Sequence, residues 1–347
     1  MPDHLHDVIV VGGGPAGLAV ALGCARAGMD VVVCEKRTGV IDKACGEGLM
    51  PGAVRALAAL GIDPPGYPIE GITYRQGATV AHAMFRAGSG LGVRRTALHD
   101  ALRTGIYRQG VPVLPMAITE LTQHDGHVRA GELRARYLVA ADGLHSTVRD
   151  LAGLAKTGTT RSEGRHRWGL RRHYALAPFS SAVEVTWADR SEAYVTPVGP
   201  GTIGVAILSS VRAGFSEQLT AFPDLAARLS GAEPVSSVRG AGPLRQRTSS
   251  RVAGRVLLAG DAAGYVDALT GEGLAVSLTT AAALVRCLRA DRPAAYDHVW
   301  KRTSRRSRWL TETLLWARGR PAFAPRIVPA AARAPRLFAA VVDQLAR

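Results

Sequence analysis

The sequence predicts an α/β fold: a parallel sheet with helices around it, a second, antiparallel sheet inserted into the chain, and helices at the C-terminal end. Three observations predict it. Residues 7–35, DVIVVGGGPAGLAVALGCARAGMDVVVCE, read as strand, glycine turn, helix and second strand. Two later apolar runs, Tyr137–Ala141 and Arg255–Ala259, are followed closely by an acid, Asp142 or Asp261, and then by helical patterns. Between them, residues 168 to 208 carry short alternating runs punctuated by Gly and Pro, the signature of an antiparallel sheet.

The first unit is the most informative. Val8–Val11 forms a strand, and Gly12, Gly14 and Gly17 fit G-x-G-x-x-G. A helix runs from Pro15 to about Ala27, and Val31–Cys34 forms the second strand, ending in Glu35. Gly12 permits the turn, Gly14 lets a diphosphate approach the backbone, and Gly17 lets helix and strand pack closely. The unpaired N–H groups of the helix start, through Pro15 and Ala16, attract phosphate. Glu35 stands where a carboxylate accepts bonds from ribose hydroxyls. This is the Rossmann-like arrangement for an adenine dinucleotide. An ordinary glycine turn in a parallel sheet would leave Glu35 unexplained.

The remaining elements follow in order. A helix over Pro51–Leu60 stops at Gly61, and Gly61–Pro68 reads as a loop. Strands are expected at Ile69–Arg75 and Thr79–Phe85. Thr96 is the expected cap of a helix reaching Gln109, followed by a short strand at Val111–Leu114 and a β-ribbon at His127–Leu133. The inserted sheet takes Trp168–Leu176, Val183–Ala188, Ala193–Thr196 and Ile203–Leu208. Ser216–Leu229 and Gly273–Arg289 read as helices, and the remainder is helical with breaks at Gly319, Pro321, Pro325, Pro329 and Pro335. A second G-x-G-x-x-G, Gly199 to Gly204, lies between two strand-like runs with no helix after it and is expected to be a hairpin turn. The expected domains are a discontinuous dinucleotide-binding unit (1–75, 94–155 and 245–295), an inserted sheet unit (76–93 and 156–244) and a C-terminal helical segment (296–347).

The 347 residues suffice for a large core, and a 47% apolar, 20% charged composition is that of a soluble globular protein. No run of about 18 apolar residues is present, so no membrane span is expected. The start, MPDHLHD, has neither the basic nor the apolar segment of a signal peptide. Cys24, Cys34 and Cys287 read as buried free thiols of a cytoplasmic protein, and no Cys/His cluster has metal-ligand spacing. The net charge is +15, of which nine arise between Lys301 and Arg347. A solvated helical face is the ordinary reading; attraction to an acidic carrier protein or an anionic surface, as a peripheral contact, is the functional one. Scarce aromatics and the lack of a recognition motif argue against nucleic acid.

Three further segments narrow the dinucleotide. In Tyr137–Arg149, YLVAADGLHSTVR, a strand ends at Asp142-Gly143 and a helix follows. In Arg255–Ala283, a strand ends in Gly260-Asp261, and Thr270-Gly271-Glu272-Gly273 opens a helix that continues through Leu274. Asp261 is placed to bind a ribityl hydroxyl, and the Gly271–Gly273 amides to face the flavin N1–C2=O edge, where negative charge grows on reduction. Arg95 leads a helix patterned Arg95-x-x-Leu98-x-x-x-Leu102 and is placed to reach the cofactor.

These four motifs, GGGPAG with Glu35-Lys36, the Arg95 helix, ADGLHSTVR and GDAAGYVDALTGEG, resemble in content and order the flavoprotein superfamily of p-hydroxybenzoate hydroxylase-like (group A) monooxygenases and geranylgeranyl reductases. The resemblance covers most of residues 7 to 290. It implies bound FAD, a sheet domain over the isoalloxazine, and NADPH or NADH as a transient donor without its own Rossmann domain. Lys43-Ala-Cys45-Gly46-Glu47-Gly48 is similar to a C-G-G/C-G-E segment of the reductases and some tailoring oxygenases, which passes close to the flavin. Cys45 is therefore either an active-site thiol or a small residue in a glycine turn. The reductases' Y-x-W-x-F-P segment survives only as Tyr194-Val-Thr196-Pro197, and Asp267-Ala268 replaces a proline common in relatives. On the strand Trp168–Leu176, Arg171 and His173 share one face and Arg172 and Tyr174 the other. His173 or Arg172 is a candidate to orient substrate or nicotinamide; a solvent-facing charged strand is the alternative.

Three functions are compatible with this pattern. The favoured one is an FAD-dependent monooxygenase that hydroxylates or epoxidises an apolar or aromatic small molecule, as in natural-product biosynthesis, through a flavin C4a-hydroperoxide. The second is a flavin-dependent C=C reductase of geranylgeranyl reductase type. The third is a non-catalytic prenyl- or partner-binding module of the same fold.

Overall fold

The computed structural model describes residues 4–156 and 166–346. Its first sheet has a parallel spine in the order Val256–Leu258, Leu133–Ala140, Leu5–Val11, Val31–Cys34 and Val113–Leu114. A ribbon, Thr122–His124 with His127–Ala130, joins it antiparallel at Leu133–Ala140. The spine strands are continuous apolar runs because helices cover them: Val8, Ile9, Val10, Val139 and Leu257 are fully buried. Their core partners come from the helices Pro15–Arg26, Arg95–Arg108 and Gly273–Arg289. The strand start is held at the surface by His4 and His6, whose rings bond to the same oxygen of Asp30 at 2.6 and 2.8 Å. Spacing alone does not disclose that juxtaposition.

The second sheet runs in the order Glu233–Pro234, Trp168–Ala175, Thr202–Ser209, Ser191–Gly199, Ala182–Trp187, Gly71–Gln76 and Thr79–Met84. Gly71–Gln76 pairs with Ala182–Trp187 in parallel and with Thr79–Met84 antiparallel. Most of this strand was expected in the first unit, but its partners place it in the second sheet. The sheet has two buried faces. Val205, Ile207 and Tyr174 pack against Phe215, Phe222 and Leu225. Ala206, Leu208, Val185 and Tyr194 face the other way. The Gly199–Gly204 motif is a hairpin, with Gly199 paired to Thr202. A small third sheet, Gly48–Leu49, Gly90–Gly92 and Tyr67–Ile69, lies near the site and takes up the end of the predicted 61–68 loop.

Several boundaries differ from expectation for identifiable reasons. The Arg95–Arg108 helix begins one residue before Thr96, and neither Thr96 nor the N-cap Arg94 caps it. The Glu47 carboxylate, from a distant loop, accepts the Arg95 N–H at 2.7 Å instead. The helix expected over 216–229 is two, Phe215–Leu219 and Pro223–Arg228, because Pro223 opens a new first turn. Pro329 does not break the Ile327–Arg333 helix, since it sits in the first turn, where its missing N–H costs nothing. The helix Ala295–Arg318 packs beside Gly273–Arg289, and Pro335–Leu345 packs on the Thr79–Met84 strand, with the Phe338 ring tilted against Tyr74 at 4.9 Å between centroids.

Candidate active site

A cavity of about 300 Å³ extends from the C-terminal ends of the parallel strands to the second sheet. At its first end lie Gly12, Gly14, Pro15, Ala16, Glu35 and Lys36. Gly12 has φ +106°, and a Cβ there would meet the Ala141 carbonyl. A Cβ on Gly17, behind the cavity, would overlap the Gly12 oxygen. Gly14 differs: nothing lies within 4 Å of its Cβ position. The helix after it has no side-chain cap, so its first N–H groups face open space.

The Glu35 carboxylate accepts the Gly13 N–H at 2.8 Å and both the backbone N–H and Nε of Arg37 at 2.9 Å. Burial pushes its carboxyl up, but those bonds outweigh it and hold the group below the usual carboxylate range. The glycine turn has a further support. His99 Nδ1 accepts the Ile41 N–H at 3.2 Å, so its proton is on Nε2, which donates to Gly13 O at 2.8 Å. Burial lowers the pKa of His99.

The middle of the cavity carries polar groups without protein partners. Asp142 Oδ1 is buried with no hydrogen bond among the described residues, while Oδ2 accepts the Val148 N–H at 3.2 Å. Arg95 lines the cavity, and its Nε is likewise buried and unbonded. Asp261 lines it beside Gly143, Gly271, Gly273 and Leu274. Gly260 lies behind, at φ +57°, where a Cβ would press on Ala16. Gly271 has φ +70°, and the helix it leads into has no side-chain cap. The side chain of Glu272 turns away to accept the Ser307 hydroxyl at 2.8 Å. Burial pushes this carboxyl up to about 7, and the Ser307 bond only partly offsets it. Asp267 closes the preceding loop, accepting the Leu269 N–H at 3.0 Å and Arg167 Nη1 at 3.1 Å. Open room over Gly14, uncapped helix starts and orphaned Asp142 and Arg95 atoms form a cradle that fits a dinucleotide.

Around the 43–48 loop the predicted residues separate. Cys45 and Gly46 line the cavity. Burial pushes the Cys45 thiol up, against the pull of Arg95. His173 is buried one layer behind, donating from Nε2 to Glu47 Oε2 at 2.6 Å. Arg172 points to the opposite face of its strand, donates to Ser236 O at 3.3 Å and does not line the cavity. Its neighbour Arg171 is the inward arginine: it pairs with Asp42, lies 3.8 Å from Glu47 and is 1% exposed. Glu47 is the centre of this cluster, at φ +61° and 2% exposure. Glu47 and His99 escaped selection from the sequence. The signals available were Glu47 within the Cys45–Gly48 motif and His99 four residues after Arg95, hence on the same helical face.

Beyond the loop the wall becomes apolar. Ile72, Leu170, Val183, Val185, Leu208 and Leu244 line it, with Tyr74, Tyr194 and Tyr265. Tyr194 donates to Leu269 O at 2.8 Å, and Thr196 to Gly46 O at 2.8 Å, which ties the sheet to the loop. Burial pushes the three phenols up, so each is neutral.

Comparison with known proteins bears on this site. The FAD binding domain family matches residues 6–99 and 117–205, more than half of the chain. The menaquinone reductase of Mycolicibacterium smegmatis is 29% identical over 85% of this chain and 79% of its own. The para-nitrophenol 4-monooxygenase of Pseudomonas sp. is 28% identical over 82% of this chain and 78% of its own. The crystal structure of p-nitrophenol 4-monooxygenase from Pseudomonas putida superposes with a TM-score of 0.79 at 21% identity, over 99% of this chain and 98% of that one.

Proposed function

From the chain's membership in the FAD binding domain family, a family of FAD-dependent oxidoreductases among its relatives here, we propose that it is a monooxygenase that hydroxylates or epoxidises an apolar or aromatic small molecule. The observation that carries this reading is the continuity of one cavity from the dinucleotide cradle to the tyrosine-rich apolar wall. Three neutral phenols and branched aliphatic side chains suit a planar aromatic guest by edge and face contacts.

In this reading Gly12, Gly14, Gly17 and the first helix would hold the FAD diphosphate, and Glu35 the adenosine ribose. Asp261 would hold the ribityl chain, and the Gly271–Gly273 amides the N1–C2=O edge. The chemistry that FAD supplies when bound is two-electron transfer, from NADPH or NADH to dioxygen. The chain's own residues do the rest. The apolar wall would seat the substrate and keep water from the reacting centre. Arg95 and the uncapped helix at Gly273 place positive potential where negative charge develops. Glu47, through His173 and Arg95 N–H, fixes the loop carrying Cys45. The nicotinamide would be a visitor, since the second glycine motif is a hairpin.

A second reading, reduction of a carbon–carbon double bond, is favoured by Cys45 lining the cavity and by the menaquinone reductase relative. Labelling with oxygen-18 separates the two. Product carrying label from O₂ supports oxygenation; product with two added hydrogens and no label overturns it in favour of the reductase. The cofactor assignment has its own check: purified protein is expected to be yellow, and Glu35→Ala or Asp261→Ala to lose flavin. Colourless protein that cannot be reconstituted would defeat both.

A further inference from the structure

We propose that the outward face of the Ala295–Arg318 helix docks this protein on an anionic membrane surface. The helix buries Tyr296, Trp300, Ser304 and Thr311. Its other side presents Arg302, Arg305, Trp309 and Trp316, spaced by three, four and seven residues, so they lie along one ridge. Trp309 is 64% exposed and Trp316 49%. The ridge continues past the helix end: the Arg320 guanidinium stacks 3.8 Å over Trp316, and Phe323, 46% exposed, lies 5.2 Å from the same ring. The core gains nothing from aromatics placed there, and water is a poor solvent for them.

The charge on this ridge is not neutralised from within. Arg302 and Arg305 form no ion pair among the described residues. From Lys301 to the last described residue, the acids are Glu312 and Asp343. Glu312 is engaged by Arg245 at 3.6 Å, and Asp343 is buried. The helix is also locked against rotation. Arg318 donates to buried Glu192 and to Ala188 O at 2.7 Å, and Thr311 bonds Thr270 at 2.9 Å on the inner side. The tryptophans therefore stay outward.

Indole rings flanked by guanidinium groups on a ridge, rather than in a groove, match the headgroup region of a bilayer. There the rings find apolar contact and the cations find lipid phosphate. Among the described residues no helix is long and apolar enough to cross a membrane; the proposed contact is a peripheral one. The inference is independent of the reaction assigned to the cavity.

The test is co-sedimentation of the FAD-loaded protein with phosphatidylcholine vesicles, with and without phosphatidylglycerol. Binding is expected only with the anionic lipid, to weaken with salt, and to shift tryptophan emission to the blue. Replacing Arg302 or Arg305 by Gln is expected to weaken binding about fivefold each. The double variant Trp309→Ser, Trp316→Ser is expected to weaken it about tenfold or more. Both positions are exposed, so unchanged melting temperature and flavin content serve as the folding control. Failure of the wild type to bind phosphatidylglycerol vesicles overturns the proposal. So does equal binding by the double tryptophan variant, which would reduce the effect to general charge. Capture by immobilised acyl carrier protein without vesicle binding would also overturn it, assigning the face to an acidic protein.

Discussion

His173 Nε2 donates to Glu47 Oε2 at 2.6 Å, and both side chains are 1% exposed. Arg171 Nη1 lies 3.2 Å from His173 Nδ1; an arginine can only donate, so Nδ1 is the acceptor and Nε2 carries the proton. This bond joins the loop after the second parallel strand to the inserted sheet. The other Glu47 oxygen caps the Arg95 helix. A single carboxylate thus fixes three elements around the cavity, on a backbone conformation that non-glycine residues rarely adopt.

Glu47→Ala is expected to cost about 3–5 kcal/mol, because it leaves the His173 Nε2–H and the Arg95 N–H buried without their acceptor and Arg171 with Asp42 as its sole carboxylate. It should also weaken FAD retention by freeing the Cys45 loop. Denaturant unfolding and flavin content of the purified variant measure the two effects. Stability like that of the wild type would show that water or Asp42 replaces the carboxylate.

Two glycines of one motif should fail differently. Gly17→Ala places a methyl group on the Gly12 carbonyl, so it should disrupt the turn itself and yield unstable, flavin-free protein. Gly14→Ala meets no protein atom within 4 Å, so its melting temperature without FAD should match the wild type. Its flavin affinity should nevertheless fall, because the methyl group occupies room left for the diphosphate. Equal FAD affinity for Gly14→Ala and wild type would place the diphosphate elsewhere.

The pH dependence of stability should carry a signature of Glu272. Its carboxyl titrates near 7 when folded, against 4.5 in an unperturbed chain, so between these values the folded state holds the extra proton. The Glu272 contribution is therefore complete below about pH 4.5 and lost as pH rises towards 7 and beyond, by about 3 kcal/mol. His99, lowered by burial, contributes with the opposite sign: its share is lost as pH falls below the ordinary histidine value. Glu272→Gln should flatten the alkaline loss, seen as a smaller drop in melting temperature from pH 5 to 8. An identical drop in both proteins would remove Glu272 as its cause.

Glu192 is fully buried and accepts bonds from both Arg167 and Arg318. Glu192→Ala should leave the Arg318 guanidinium without a carboxylate and Arg167 with Asp267 alone, cost about 3–5 kcal/mol and loosen the end of the Ala295–Arg318 helix. Limited proteolysis near Gly319, alongside denaturant unfolding, measures both consequences; unchanged cleavage would mean that the backbone bonds from Arg318 suffice.

The first unit was legible almost residue by residue because its signals are local: the apolar strands, the glycines and Glu35 lie within one short stretch. The Gly273–Arg289 helix and the hairpin at Gly199 were legible for the same reason. What stayed hidden depends on long-range pairing. Nothing in GITYRQ says that this strand joins the second sheet, because its partner, Ala182–Trp187, lies far along the chain. The cap on the Arg95 helix is a residue nearly fifty positions away. The face of the Trp168–Ala175 strand that meets the loop is set by Asp42 and Glu47, so Arg171 rather than Arg172 turns inward.

The strand Val256–Leu258 docks beside Leu138–Ala140 only after the whole second sheet has been made. On the ribosome, the glycine turn and Glu35 emerge early, whereas Asp261 and the Gly273 helix emerge late. In the proposed binding mode, the residues for the adenylate end are therefore synthesised well before those that would enclose the ring. Under that proposal, chains arrested ahead of Asp261 are expected to be colourless, and flavin loading would await the Gly273–Arg289 helix.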